Sequence, residues 1–319
     1  MMTRLGYLLL AAWFVLLASL PFHAENYIVR IGIVIAMYST LAYSWNVIGG
    51  FAGYPSFSTA AFFGIGAYIG GVAQHNGMPM GLAWALATLG VGFFAFSLGA
   101  ILLRLRGHYF AIGSIVVVEV CRLLISSWRD VTGGGSGLNI PILKWQPDEV
   151  LAFFLWVMLV LFAVGFIINL LVDRTPLGFG LRCIRQNEEA AAMVGVNTSQ
   201  YKLAGYVLSA LLCGTAGAAN ASWVGYIDPS ESFSIIMTLK VPVMVMLGGA
   251  GTLLGPALGA GGFVMLEEIF WSSYLNWNRA LLGGVIVLLI FFLPGGLLKF
   301  SLKKVFARVT GFATSGAGR

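Results

Sequence analysis

The chain is written in apolar blocks of about twenty residues parted by short polar breaks, the length a helix needs to cross a bilayer. A closed barrel, the other spanning solution, reads as alternating segments of about ten residues. The blocks here do not alternate, so they read as helices. Composition agrees: 59% of the 319 residues are hydrophobic and only 9% are charged, against about 25% charged in a soluble domain. The blocks predict ten spans, at 5–22, 28–48, 57–74, 81–103, 109–127, 150–172, 204–225, 235–250, 254–272 and 279–298. The expected fold is an all-α, polytopic bundle of about ten transmembrane helices. It forms one domain over residues 1–298, with a basic tail at 299–319. Arg4 before an apolar run that ends near Ala24 has the form of a signal peptide, but the run is long for one and reads better as a helix of the bundle.

Charge sets the expected orientation. With the N-terminus inside, twelve of the eighteen lysines and arginines fall on inner segments and four on outer segments or helix ends, leaving Arg122 and Lys240 within spans. Both termini are therefore expected in the cytoplasm. The formal charge of +6 then follows from topology and attraction to anionic lipid, and calls for no nucleic acid.

Catalytic chemistry finds little support. Cys121, Cys183 and Cys213 form no C-x-x-C and read as small core residues, and His23, His75 and His108 form no H-E-x-x-H pair. No lysine follows a glycine, so the phosphate-cradling G-x-x-x-x-G-K-[ST] loop is missing. No metal or cofactor is implied. The 42 glycines instead favour close helix approach and broken helices. Gly248–Gly249–Ala250–Gly251 reads as a tight turn between helices. The glycine-rich segment 128–149 reads as a structured turn over the outer mouth.

One stretch breaks the apolar pattern: "RQNEEAAAMVGVNTSQYK", residues 185–202. Asn187 is a candidate N-cap, with Glu188 and Glu189 in the first turn, where the helix dipole favours negative charge. Ala190, Ala191 and Ala192 are strong helix formers, and Gly195 suits the left-handed residue that ends a short helix. Thr198 or Ser199 then caps the helix leading into the next span. A helix this short is marginal alone, so it must rest on something.

Glu189-Ala190-Ala191 followed by Gly195 resembles the E-A-A-x-x-x-G pattern of ABC-importer permeases. The longer stretch "LRCIRQNEEAAAMVGVNTSQYKLAGYVLSALLCGTAGA" is similar to branched-chain amino-acid permeases of the LivM type. So are "GGFAGYPSFSTAAFFGIGAY", "YFAIGSIVVVEVCRLL" with "TGGGSGL", "GYIDPSESFSI" through "LGGAGTLLGPALGA", and "RALLGGVIVLLIFFLPGGL". Together they run from about residue 49 to 297. The family commonly has Gly-His where this chain has Ser58-Thr59, and the general downstream Ile-x-Leu-Pro is missing.

The resemblance implies a permease subunit in a bacterial inner membrane, with no catalysis of its own. Its implied partners are two ATP-binding subunits, a second homologous permease and a soluble substrate-binding protein. It further implies that Arg185, Glu188, Glu189, Ala190, Ala191 and Gly195 form a coupling segment gripped by the ATPase. Branched-chain amino acids are the implied substrate, with urea or short amides as the alternative. A stand-alone secondary transporter is the less favoured class, since Glu119 is the acid expected inside a span and Arg122 stands beside it.

Candidate path residues are Ser56, Ser58, Thr59, Glu119, Asn220 and Lys240. Glu119 and Arg122 are spaced i,i+3, as a structural ion pair or as path lining. Lys240 either snorkels outward or faces a polar cavity. Asn220, with Ser209 and Thr215, serves helix packing or the path. Pro242 with the glycine turn, and the segment after Phe51, read as two helix interruptions, the sequence pointer to a midplane pathway.

Overall fold

The computed structural model describes residues 4–273. The elements run, in order, α1 (Arg4–His23), α2 (Asn26–Trp45), a π-helical turn (Asn46–Phe51), α3 (Thr59–His75), α4 (Met80–Leu102), α5 (His108–Ser127) and α6 (Arg129–Thr132). A 3-10 turn (Gly134–Ser136) and β1 (Leu138–Asn139) lead to α7 (Pro147–Arg174), α8 (Pro176–Gln186), α9 (Glu188–Met193) and α10 (Thr198–Val224). Then come β2 (Tyr226–Ile227), α11 (Pro229–Ser232), α12 (Ile235–Gly248) and α13 (Gly255–Ser273). The first nine expected spans all fall on these helices; the tenth, 279–298, and the tail 299–319 lie outside the described residues.

Seven of the described helices are long and apolar enough to cross a membrane: α1, α2 with its π turn, α4, α5, α7, α10, and α11 running into α12. The 17-residue α3 falls just short in length. In α13 the glycines, Glu267 and Glu268 dilute the apolar character.

Two helices form the heart of the bundle. α2 is buried along most of its length between α7, α10, α12 and α13, and α10 packs on α2, α3 and α4. With no hydrophobic drive between helices in lipid, close packing must hold them, and small residues permit it. On α3, Gly66 and Gly70 sit four apart and face Gly214 and Ala218, also four apart, on α10. α4 presents Ala83, Ala87, Val91, Ala95 and Gly99, all buried at a spacing of four, with Val91 against Gly214. On the other side, Phe14 of α1 and Tyr43 of α2 each lie 5.8 Å from Phe162 of α7.

The segment 128–149 is structured as expected. Thr132 caps back onto Ile125 and Trp128, and Leu138 and Asn139 pair antiparallel with Ile227 and Tyr226. This hairpin end of the bundle lies opposite the basic end, which carries α8 and α9. Two local expectations are corrected. Asn197, not Thr198 or Ser199, caps α10, its side chain accepting from the Gln200 amide. And α12 runs straight through Pro242 instead of breaking there, the turn coming only at Gly249 and Gly251, both at positive φ. Pro242 is buried, and the helix passes it without a break, as membrane helices tolerate.

Candidate functional site

At the basic end the chain doubles back. Pro176 starts α8 at a position where its missing N–H costs nothing, and α8 lays Leu181 and Ile184 inward. Asn187 ends it and caps α9, its Oδ1 accepting from the amides of Glu189 and Ala190 at 2.9 and 3.0 Å. Ala191 is buried, and Gly195 closes the helix at φ +89°. The capping expectations for Asn187 and Gly195 therefore hold as geometry.

Glu188 turns inward. Its carboxylate accepts from Lys202 Nζ at 2.6 Å and from the Tyr54 hydroxyl. The same ammonium donates to Tyr54 Oη and to the Leu103 carbonyl, both at 3.2 Å, so all three of its protons are used. Lys202 is only 3% exposed, and it also lies over the Tyr54 ring, 4.8 Å from the centroid. One buried cation thus joins α9, α10, the end of α4 and the segment after the π turn. Burial by itself pushes the Glu188 carboxyl up; hydrogen bonds from Lys202 and Tyr54, with the charges of Lys202 and Arg106, outweigh it and hold the group below the usual carboxylate range. Burial beside Glu188 pushes the Tyr54 phenol up.

Arg185 makes the second tie. Its guanidinium donates to the Gly50 carbonyl at 2.6 Å and also lies against Gly251. Gly50 and Gly251 themselves touch, and Asn46 Oδ1 accepts from the Gly251 amide at 2.8 Å. The Asn46 amide donates to Asn169 Oδ1 at 2.9 Å and to the Thr252 carbonyl at 3.1 Å, pinning the turn after α12 to α2 and α7. So the interruption after α2 and the glycine turn after α12, far apart in sequence, meet under Arg185.

The outer side of α9 is left bare. Met193 and Val194 are 82% and 78% exposed, and Ala190, Ala192 and Gly195 are exposed beside them. Glu189 pairs with Arg106 at 2.9 Å, but both side chains are mostly in solvent, where such a pair contributes little. Of the six coupling candidates, then, Arg185 and Glu188 bind inward, Ala191 is packed, and Glu189, Ala190 and Gly195 face out.

The path candidates scatter. Ser56, Ser58 and Thr59 are buried; Ser58 shares a hydrogen bond with the Tyr206 hydroxyl at 2.8 Å. Asn220 is half-buried on α10 without a hydrogen-bonded partner among the described residues. Glu119 and Arg122 do pair along α5, with side chains 39% and 32% exposed. Removing either alone should lower the folded yield more than removing both, because a lone charge is then left within the span; yields by size-exclusion chromatography check this. Lys240 pairs with Glu267 of α13 and lines a small cavity.

Sequence reasoning missed Lys202 and Tyr54. It also missed Glu267 and Glu268 and treated Glu119 as the acid within a span. The signal for that pair was present: two adjacent carboxylates inside the apolar run 254–272. Among the described residues no cluster of histidine, cysteine, aspartate or glutamate could hold a metal ion.

Helices long and apolar enough to cross a membrane thus surround a short capped helix that is tied inward and bare outward. The chain belongs to the family described as branched-chain amino acid transport system / permease component, whose pattern matches residues 27–291. It is 30% identical over 91% of its length to the high-affinity branched-chain amino acid transport system permease protein LivM of Escherichia coli (strain K12), covering 74% of that protein. Similarity extends, at 24% identity over 82% of this chain and 90% of the relative, to the probable branched-chain permease LivM of Methanocaldococcus jannaschii. An autoinducer 2 import system permease, LsrC of Photorhabdus laumondii subsp. laumondii, is 24% identical over 77% of this chain and 74% of its own. That last class was not weighed from sequence. No solved structure matches the chain.

Proposed function

We propose that this chain is the transmembrane subunit of an ABC importer that carries branched-chain amino acids across a bacterial inner membrane. Its basic end and both termini face the cytoplasm, and the full chain spans the bilayer about ten times. Two ATP-binding subunits on partner chains hydrolyse ATP, so this chain is not itself an enzyme. A second, homologous permease completes the pore, and a substrate-binding protein delivers the cargo at the hairpin end.

The observation that carries this reading is the two-sidedness of α9. Its outer side offers an apolar tip, Met193 and Val194, in a protein region otherwise rich in charge. Its inner side is tied by Glu188 and Lys202 to the segment that breaks α2 from α3, and α8 beside it is tied by Arg185 to both helix breaks. Movement of a partner gripping the tip would reach both breaks directly. The Glu119–Arg122 pair supports a second permease, since a half-exposed charge pair midway along a spanning helix is costly against lipid and calls for protein or water beside it.

The test is Met193→Asp with Val194→Asp. The double variant should insert at wild-type level but lose the co-purifying ATP-binding subunits and at least nine-tenths of uptake. Gly195→Val, forced out of its left-handed conformation at a cost of about 1–2 kcal/mol, should weaken coupling without harming insertion. Unchanged co-purification in the double variant would place the ATPase contact elsewhere. Uptake of leucine, isoleucine and valine, set against urea and autoinducer 2, assigns the cargo.

A further inference from the structure

A second charged cluster lies on one side of the bundle, part-buried between helices and away from the basic end. Lys240 of α12 pairs with Glu267 of α13, and the Tyr27 hydroxyl of α2 donates to Glu268. Between these helices is a cavity of about 200 Å³, lined by Val34, Tyr38, Lys240, Val264, Glu267 and Glu268. A water occupies about 30 Å³ of liquid volume, so a small organic molecule fits. At about 1.5 Å per residue, Lys240 lies within about 10 Å of the start of α12. Ionisable side chains on membrane-crossing helices are rare and point to function.

Three features point to one kind of occupant. Lys240 neutralises one carboxylate, which leaves Glu268 facing only a neutral phenol among the described residues. Tyr38 also lines the cavity, and its hydroxyl has no hydrogen-bond partner among the described residues. Val34 and Val264 supply apolar walls. A free amino acid with a short branched side chain presents an ammonium, a carboxylate and an apolar branch, which match these three in turn.

We propose that this cavity is a subsite for the amino-acid zwitterion during its passage. Glu268 takes the ammonium group. Lys240, whose ammonium has three protons to share, takes the carboxylate together with the Tyr38 hydroxyl. Val34 and Val264 meet the branched side chain. This rests on the branched-chain reading above and names where that cargo is held.

The experiment uses the full complex with its ATP-binding subunits and binding protein in proteoliposomes, measuring radiolabelled leucine uptake at saturating binding protein and matched permease level. Glu268→Gln keeps the shape and removes the charge, and should lower uptake about tenfold or more, as expected for losing a hydrogen bond to a charged group. Glu268→Asp should restore at least a third of the wild-type rate. Tyr38→Phe, which deletes a hydroxyl bonded to nothing described, should lower uptake about threefold. A Gln variant retaining more than half of wild-type uptake, or Gln and Asp variants equally inactive, would overturn the subsite. A wild-type complex that couples ATP hydrolysis to urea but imports no leucine would overturn the branched-chain reading itself, which is a different result from wild-type uptake with an indifferent Gln variant.

Discussion

Lys202→Met should be among the most damaging single substitutions at the basic end, costing about 3–5 kcal/mol, because it strands the largely buried Glu188 carboxylate without its cation. The methionine fills much the same volume, so the loss is electrostatic. Pairing it with Glu188→Gln removes the stranded charge and should recover part of that loss, a coupling that a double-mutant cycle on the detergent-solubilised protein reads out. Tyr54→Phe should cost less, about 0.5–1.5 kcal/mol, as one hydrogen bond of the set. The pH dependence follows from the depressed Glu188 carboxyl. Its contribution is fully present above the ordinary carboxylate value and is lost as the pH falls below that value through the folded one. Melting temperature should therefore fall on acidification more in wild type than in Glu188→Gln, with the two curves parallel near neutrality. Any Lys202→Met protein that does fold should bind ATPase but transport poorly, since α9 would be tied to the segment after α2 by the Tyr54 hydroxyl alone.

Gly217→Val should fail to yield folded protein. A Cβ at that position would stand 2.0 Å from the Phe63 carbonyl oxygen, and one at Gly66 only 2.1 Å from the Gly214 carbonyl oxygen. Both obstacles are helix backbone, which cannot swing aside as a side chain can. Separating α3 from α10 to make room would open the packing that holds the centre of the bundle, at a cost above about 4 kcal/mol. Gly262→Ala on α13 is the control: an added Cβ there meets nothing within 4 Å among the described residues, so it should be neutral or stabilise by up to about 1 kcal/mol. Equal yields of the two variants, measured by fluorescence-detected chromatography, would show that the α3–α10 contact is not as close as the structure has it.

Much of this protein was legible before its structure. Apolar blocks of spanning length located the helices within a few residues, because a bilayer demands that every backbone group bond within its own segment. Asn187 and Gly195 were legible as caps for a similar reason, since capping is settled by residues three or four apart. The bounds of α10 were read less well at Asn197, one position before the hydroxyls that seemed to cap it, because several neighbouring side chains can serve that role equally. Pro242 misled, because a proline disfavours a helix interior without always ending it, and here α12 continues past it to Gly248.

The candidate site was legible in location and not in wiring. The charge and alanine pattern of 185–202 singled out the short capped helix, yet Glu188 and Glu189 are adjacent and look alike in sequence. What separates them is which one lies over Lys202 and Tyr54. That depends on how α9 sits against the ends of α4 and α10.

Sequence alone, then, determined that this chain crosses a membrane as helices, where most of those helices run, and that one short capped helix interrupts them. Those are consequences of local composition and of hydrogen bonds closed within a few residues. Only the tertiary structure decided that Glu188 faces inward and Met193 outward, that the breaks near Gly50 and Gly251 meet under Arg185, and that Lys240 finds Glu267. Each of those pairs joins residues distant in sequence, and their distances are set by how glycine- and alanine-faced helices close on one another.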